Sequence, residues 1–93
     1  MPIKSFNIKS RFKKEYGNLD PGLQQSVNEA IADLMKETIP AWRRFHSLSG
    51  YRNPRLYTID VTPNKAYKIS LEMDGEVATL RRIASHGEID RAP

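Results

Sequence analysis

The sequence predicts a small α+β domain: an N-terminal strand, a two-helix hairpin, then a three-stranded antiparallel meander. Three observations carry this. An apolar stripe with helical spacing runs through residues 21–37, period-two alternation recurs three times after residue 55, and helix and strand signals are segregated along the chain. At 93 residues, 39% hydrophobic and 28% charged, residues 1–93 read as one globular domain, too short for a second core.

The elements follow in order. "IKSFNI" (3–8) sets Ile3, Ser5 and Asn7 against Lys4, Phe6 and Ile8, a short strand pattern. Ser10 is a candidate cap for a short helix over "RFKKEYG", where Phe12 and Tyr16 share a face and Gly17 stops the run. Asp20-Pro21 restarts it, an N-cap aspartate before a proline that misses no N–H at the first helical position. Leu23, Val27, Ile31, Leu34 and Met35 then form the stripe of an amphipathic helix through about Glu37, and Pro40 bars continuation. "AWRRFHSLSGYRNPR" (41–55) is polar, basic and interrupted by Gly50 and Pro54, and reads as a long loop. In "RLYTIDV" Tyr57, Ile59 and Val61 oppose Leu56, Thr58 and Asp60. "TPNK" is turn chemistry, and "AYKISLEM" sets Tyr67, Ile69, Leu71 and Met73 against Lys68, Ser70 and Glu72. Asp74-Gly75 signals a hairpin, and "VATLRRIA" closes the meander.

The net charge of +4 and sequence pI of about 9.6 favour a polyanionic partner. Lys4, Lys9, Arg11, Lys13 and Lys14 crowd residues 1–16 against Glu15 alone, and residues 41–55 carry Arg43, Arg44, Arg52 and Arg55 with no acid. Asp20, Glu29, Asp33 and Glu37 make residues 17–40 acidic by comparison, so a basic face backed by an acidic one is one reading and a mixed solvated surface the other. With no cysteine, disulfides, thiolate metal sites and thiol nucleophiles are excluded, and His46 and His86 are too few for a histidine zinc site without carboxylates. No metal or cofactor is expected. Gly-rich phosphate loops, a Walker lysine and HExxH are all missing. The N-terminus lacks a signal-peptide core and no segment approaches a membrane span, so a cytoplasmic protein without a membrane partner is expected.

One helical layer covers one sheet face and leaves the other partly open for function. Metal-free RNA cleavage needs a base for the 2′-OH, cations for the charge growing on phosphorus, and an acid for the 5′-oxygen. Histidine suits either proton role, and arginine's planar fork suits the phosphate. Arg82 and His86, four residues apart at the end of the last strand, can meet one phosphate if Ser85-His86-Gly87 turns. A histidine near a terminus is, however, more often simply exposed, and His46 between Phe45 and Leu48 can equally cover the core edge. By alternation only one of Arg81 and Arg82 points into any cleft, Arg81 being the one expected to face away. Trp42 and Tyr51 either stack a base or pack against the fold.

Element order and motifs together resemble the RelE/ParE superfamily of bacterial toxin–antitoxin toxins over essentially the full length. "FHSLSG" (45–50) resembles the histidine-x-leucine-x-glycine motif of the YafQ-like branch, and "RIASHGEID" (82–90) resembles its closing arginine-x3-histidine pattern. The resemblance implies a RelE-like fold and a ribosome-dependent messenger-RNA endonuclease that blocks translation without a metal. It implies as partners a cognate antitoxin, messenger RNA and the ribosome with its rRNA, the toxin–antitoxin complex repressing its own operon. Carried over motif by motif, His46, Arg82 and His86 are the catalytic candidates, with Arg43, Arg44, Arg52, Arg55 and Lys68 as RNA-binding candidates. The branch also has a histidine and an aspartate–tryptophan pair on and after the second strand, where "LYTIDVTPN" supplies only Asp60, and its closing aromatic is replaced by Ile89-Asp90. The superfamily equally includes gyrase inhibitors of the ParE type, and a non-catalytic antitoxin-binding module is a further alternative.

Overall fold

The computed structural model describes residues 3–52 and 54–93. Within them β1 (Ser5–Ile8) leads to α1 (Ser10–Gly17) and α2 (Pro21–Leu34), then a 3-10 turn at Ala41–Arg43. There follow β2 (His46–Arg52), β3 (Arg55–Asp60), β4 (Tyr67–Asp74), β5 (Val77–Ser85) and α3 (His86–Arg91). The described strands form one five-stranded sheet in the order β1-β5-β4-β3-β2. β1 runs parallel to β5 and every other neighbouring pair is antiparallel, so the α+β class and the β3–β4–β5 meander are as the sequence predicts.

The helical hairpin forms for local reasons. Asp20 caps α2 by accepting the Leu23 N–H at 2.8 Å, with Pro21 at the first helical position. The helix closes at Leu34, short of Glu37. In α1 the cap position falls to Lys9, without a side-chain bond, and Ser10 is already helical. The Tyr16 hydroxyl donates to Asn28 Oδ1 at 2.8 Å and Gln24 Nε2 donates to the Tyr16 carbonyl at 3.0 Å, tying α1 to α2. Val27, Ala30 and Leu34 then bury against one sheet face, where Ile59, Ile69 and Ile83 stand opposite one another across three strands. Gly75 and Glu76 join β4 to β5, and Gly75 alone takes a positive φ (61°), which fits a type II′ hairpin turn.

Three features correct the sequence reading. The segment read as a loop contains β2, an edge strand whose side chains are mostly exposed. Its register with β3 slips between Ser47 and Arg52, where Gly50 has φ +86°. A one-sided, bulged edge needs no apolar alternation, so its sequence carries no strand signal. The C-terminal segment is a helix rather than a turn: Ser85 accepts the Glu88 N–H, the first half of a capping box, and Ile89 is fully buried. Leu56 and Ile89 are buried outside the main core cluster, so α3 covers part of the face that appeared open from sequence. Finally, β5 pairs Leu80 with Leu71 but Arg82 with Ser70, which leaves Arg81 as a bulge. Alternation fails there. Arg81 reaches Glu72, on the same strand face as Ser70, so it does not face away from Arg82.

Arg43 fastens the helices to the sheet. Its guanidinium donates to Asp33 of α2 at 2.7 Å and to the Asp60 and Val61 carbonyls at 3.0 and 3.1 Å. Lys36 adds a second contact to Asp33 at 2.7 Å, and hydrogen bonds from Lys36 and Arg43 hold the Asp33 carboxyl below its ordinary value. Burial alone raises Glu72, but hydrogen bonds from Arg81 and Lys9 outweigh it, and its carboxyl is lowered too. Both carboxyls thus titrate lower folded than unfolded. Their stabilisation is complete above the ordinary carboxylate range and is lost as pH falls below about 4. The urea midpoint is expected to drop across that window, and to drop less in Asp33→Asn. Parallel pH profiles for the two proteins would contradict this.

Candidate active site

Strand register assembles the site. His46 stands opposite Thr58, Thr58 opposite Ser70, and Ser70 opposite Arg82, one polar row across β2, β3, β4 and β5. With strands about 4.8 Å apart, the row spans roughly 14 Å. Two residues along each strand, a second row places Asp60 opposite Lys68 and Lys68 opposite Ala84. Both rows project from the sheet face opposite the α2 core, because their members alternate with Ile59, Ile69 and Ile83.

The second row is a chain of alternating charge. Arg44, just ahead of β2, donates through Nε to Asp60 Oδ2 at 2.8 Å. Asp60 neighbours Lys68, whose Nζ lies 3.2 Å from Asp90 Oδ1 on α3. The other oxygen of Asp90 lies 2.8 Å from His86 Nε2. The Asp60 hydrogen bond holds Arg44 still more firmly protonated than an ordinary arginine, with the Asp90 charge adding to it. Asp60 and Lys68 are almost fully buried, 1% and 5% exposed, so each depends on its partner.

Arg82 is caught between α1 and α3. Its Nη2 and Nε donate to Glu15 Oε2 at 2.6 and 3.1 Å, its Nη1 donates to the Ala92 carbonyl at 2.8 Å, and Glu88 lies 3.8 Å away. Glu15 also accepts the Ile83 N–H. The Glu15 hydrogen bond raises the Arg82 guanidinium further above its ordinary range, so it is a permanent cation. The hydroxyls of Thr58 and Ser70, between His46 and Arg82 in the first row, are buried without a hydrogen-bond partner among the described residues.

The two histidines differ. His46 is exposed, and its Nδ1 lies 2.5 Å from the Arg44 carbonyl. A carbonyl only accepts, so Nδ1 carries the ring proton in this contact, and the neutral ring has its lone pair on Nε2, where a general base needs it. In His86, Nε2 lies 2.8 Å from Asp90 Oδ2 while Nδ1 is buried with no hydrogen-bond partner among the described residues, so the ring is oriented by α3 itself.

Thus His46, Arg44, Lys68, Arg82 and His86, all singled out from sequence, share one face with the rim of α3. Arg43 does not join them: its guanidinium is bonded to Asp33 of α2 and to the Asp60 and Val61 carbonyls, so it is a structural group between helix and sheet and not a member of the polar row. Arg52 and Arg55 pair opposite each other at the exposed end of the β2–β3 hairpin, about 10 Å along β3 from Thr58. Sequence reasoning missed Asp90 and Glu15, the carboxylates that hold the cations. Asp90 was findable, four residues after His86 behind a Ser-x-x-Glu cap. Glu15 was not, since it lies 67 residues from Arg82 along the chain.

No protein-family model matches the chain, and no curated protein does. Solved structures do match. A chain of the RelB-RelE antitoxin-toxin complex from Methanococcus jannaschii is 20% identical, with a TM-score of 0.69 over 94% of this chain and 99% of that one. One from the archaeal RelE-RelB complex of Pyrococcus horikoshii OT3 is 16% identical, with a TM-score of 0.71 over 91% and 97%. One from the E. coli DinJ-YafQ toxin-antitoxin complex is 14% identical, with a TM-score of 0.71 over 94% and 97%. Since nearly the whole of each chain superposes on the other, this protein has the fold of the RelE and YafQ toxins.

Proposed function

We propose that the chain is the toxin of a toxin–antitoxin pair, and that it cuts messenger RNA on the ribosome without a metal. The observation that carries this reading is the gathering of two histidines and three cations, Arg44, Lys68 and Arg82, on one sheet face. His46 Nε2 takes the proton of a ribose 2′-OH, whose oxygen attacks the adjacent phosphorus. The 5′-oxygen leaves with a proton from His86 Nε2, which exchanges Asp90 for the leaving group while Nδ1 stays buried, and a 2′,3′-cyclic phosphate remains. The cations offset the charge that builds on the phosphoryl oxygens between these two proton transfers. At rest each cation is matched by a carboxylate, Asp60, Asp90 or Glu15, so a phosphate enters by exchanging with one of them. The three solved relatives described above come from toxin–antitoxin complexes, which supports a cognate antitoxin as partner.

Primer extension on a message under translation in a purified ribosome system tests this. The wild-type chain is expected to cut the translated message and to leave the same message intact when initiation is blocked. An uncut message together with inhibited gyrase supercoiling would overturn the reading in favour of a gyrase poison.

A further inference from the structure

Trp42 lies outside the row of catalytic candidates, and no step of the proposed chemistry uses it. It is 44% exposed, a costly position for a large aromatic ring unless something covers it in function. Nor is it loosely held. The guanidinium carbon of Arg43 sits 4.2 Å from the centre of its ring, and Arg43 is itself buried and bonded to Asp33 and the Asp60 and Val61 carbonyls. One face of the indole is therefore braced by a cation anchored in the core. Trp42, Arg44, Pro63 and Lys65 line an open cleft of about 410 Å³, within the range of ligand sites.

The backbone points to the same place. Arg44 (φ 50°) and Lys65 (φ 64°) are the non-glycine residues with positive φ among the described residues, and both line this cleft. A left-handed conformation is unfavourable for any residue with a Cβ, and glycine relieves it. Two long cationic side chains stand at the two positions where glycine fits the backbone better. Arg44 engages Asp60 through Nε and Nη2, while its Nη1 makes no hydrogen bond among the described residues. The cleft thus offers a braced aromatic surface, a proline and the basic side chains of Arg44 and Lys65 at its rim.

We propose that this cleft is a nucleotide subsite: one base of single-stranded RNA stacks on Trp42, and Arg44 and Lys65 take an adjoining phosphate. A base needs a flat, sequence-tolerant surface and a phosphate needs cations nearby, and the cleft combines both. It adjoins the catalytic candidates through Arg44, whose carbonyl orients His46 and whose side chain holds Asp60. The subsite therefore holds the strand one or more nucleotides away from the bond cut at His46. This inference rests on the RNA-cutting reading, and it can fail without it.

Trp42 is the sole tryptophan of the chain, so its emission reports directly on the cleft. The test titrates the full chain with a fluorescein-free 2′-O-methyl oligoadenylate hexamer, which cannot be cut, and follows a labelled copy separately by anisotropy. Saturable quenching of Trp42 is expected. Lys65→Gln should weaken binding about tenfold by the same signal, and Trp42→Ala about tenfold by anisotropy, with Trp42→Phe recovering most of the loss. Binding by anisotropy with unchanged Trp42 emission overturns the subsite and leaves the RNA reading standing. No binding and no cutting of a translated message overturns both. Quenching by an acidic polyglutamate peptide but not by the oligonucleotide assigns the cleft to a protein partner and also overturns the proposal.

Discussion

His46→Ala is expected to slow RNA cleavage by about 10²- to 10⁴-fold, the usual contribution of a positioned general base. The loss should fall on kcat rather than KM, because His46 serves the transition state and the cations serve binding. Stability should stay within about 0.5 kcal/mol of wild type, since the ring is exposed and its one bond is to a local carbonyl. His46→Gln separates the two roles of the ring. It keeps a donor for the Arg44 carbonyl but has no basic nitrogen, so it should be as slow as alanine. Wild-type rates in both variants would remove His46 from the site. His86→Ala is a less clean experiment, because the same ring also holds Asp90, which in turn holds the buried Lys68.

The second large effect concerns the fold. Arg43→Ala is expected to lower stability by about 3 kcal/mol, toward the lower end for breaking a buried ion pair. Three acceptors lose their donor: Asp33 and the carbonyls of Asp60 and Val61. Asp33 retains Lys36, which keeps the cost from rising further. Arg44→Ala is the matched control. Its side chain is 43% exposed, but the Asp60 carboxylate it serves is buried and loses its donor, so the urea midpoint should fall here too, by less than in Arg43→Ala, where two carbonyls are also orphaned. Equal losses in the two variants would show that burial does not separate these neighbouring arginines. The same comparison bears on RNA: Arg44→Ala should weaken binding per folded molecule, whereas Arg43→Ala should act only through the fold and the bracing of Trp42.

These two arginines also show where sequence reasoning stops. "WRRF" presents Arg43 and Arg44 as equivalent members of a basic loop. The 3-10 turn at Ala41–Arg43 ends with Arg44 at φ 50°, and that reversal sends one side chain inward and the other to the polar face. Arg81 and Arg82 pose the same problem on a strand. Alternation assigns them opposite faces, but a bulge at Arg81 cancels it, and bulges leave no residue-level signature here. Gly87 after His86 signals a turn, whereas the cap at Ser85 and the buried Ile89 make the segment helical.

The sequence by itself determined the layered α+β domain, the hairpin of helices, the β3–β4–β5 meander and the set of cations and histidines available for chemistry. It could do so because apolar periodicity and caps are local codes, read within a dozen residues. Tertiary structure alone decided that β2 completes the sheet, that α3 folds back over the polar face, and that Asp90 and Glu15 hold Lys68 and Arg82. Those outcomes depend on strand register and on contacts between residues as far apart as Glu15 and Arg82. A buried cation takes whichever carboxylate the finished fold brings within reach, and no spacing along the chain encodes that choice.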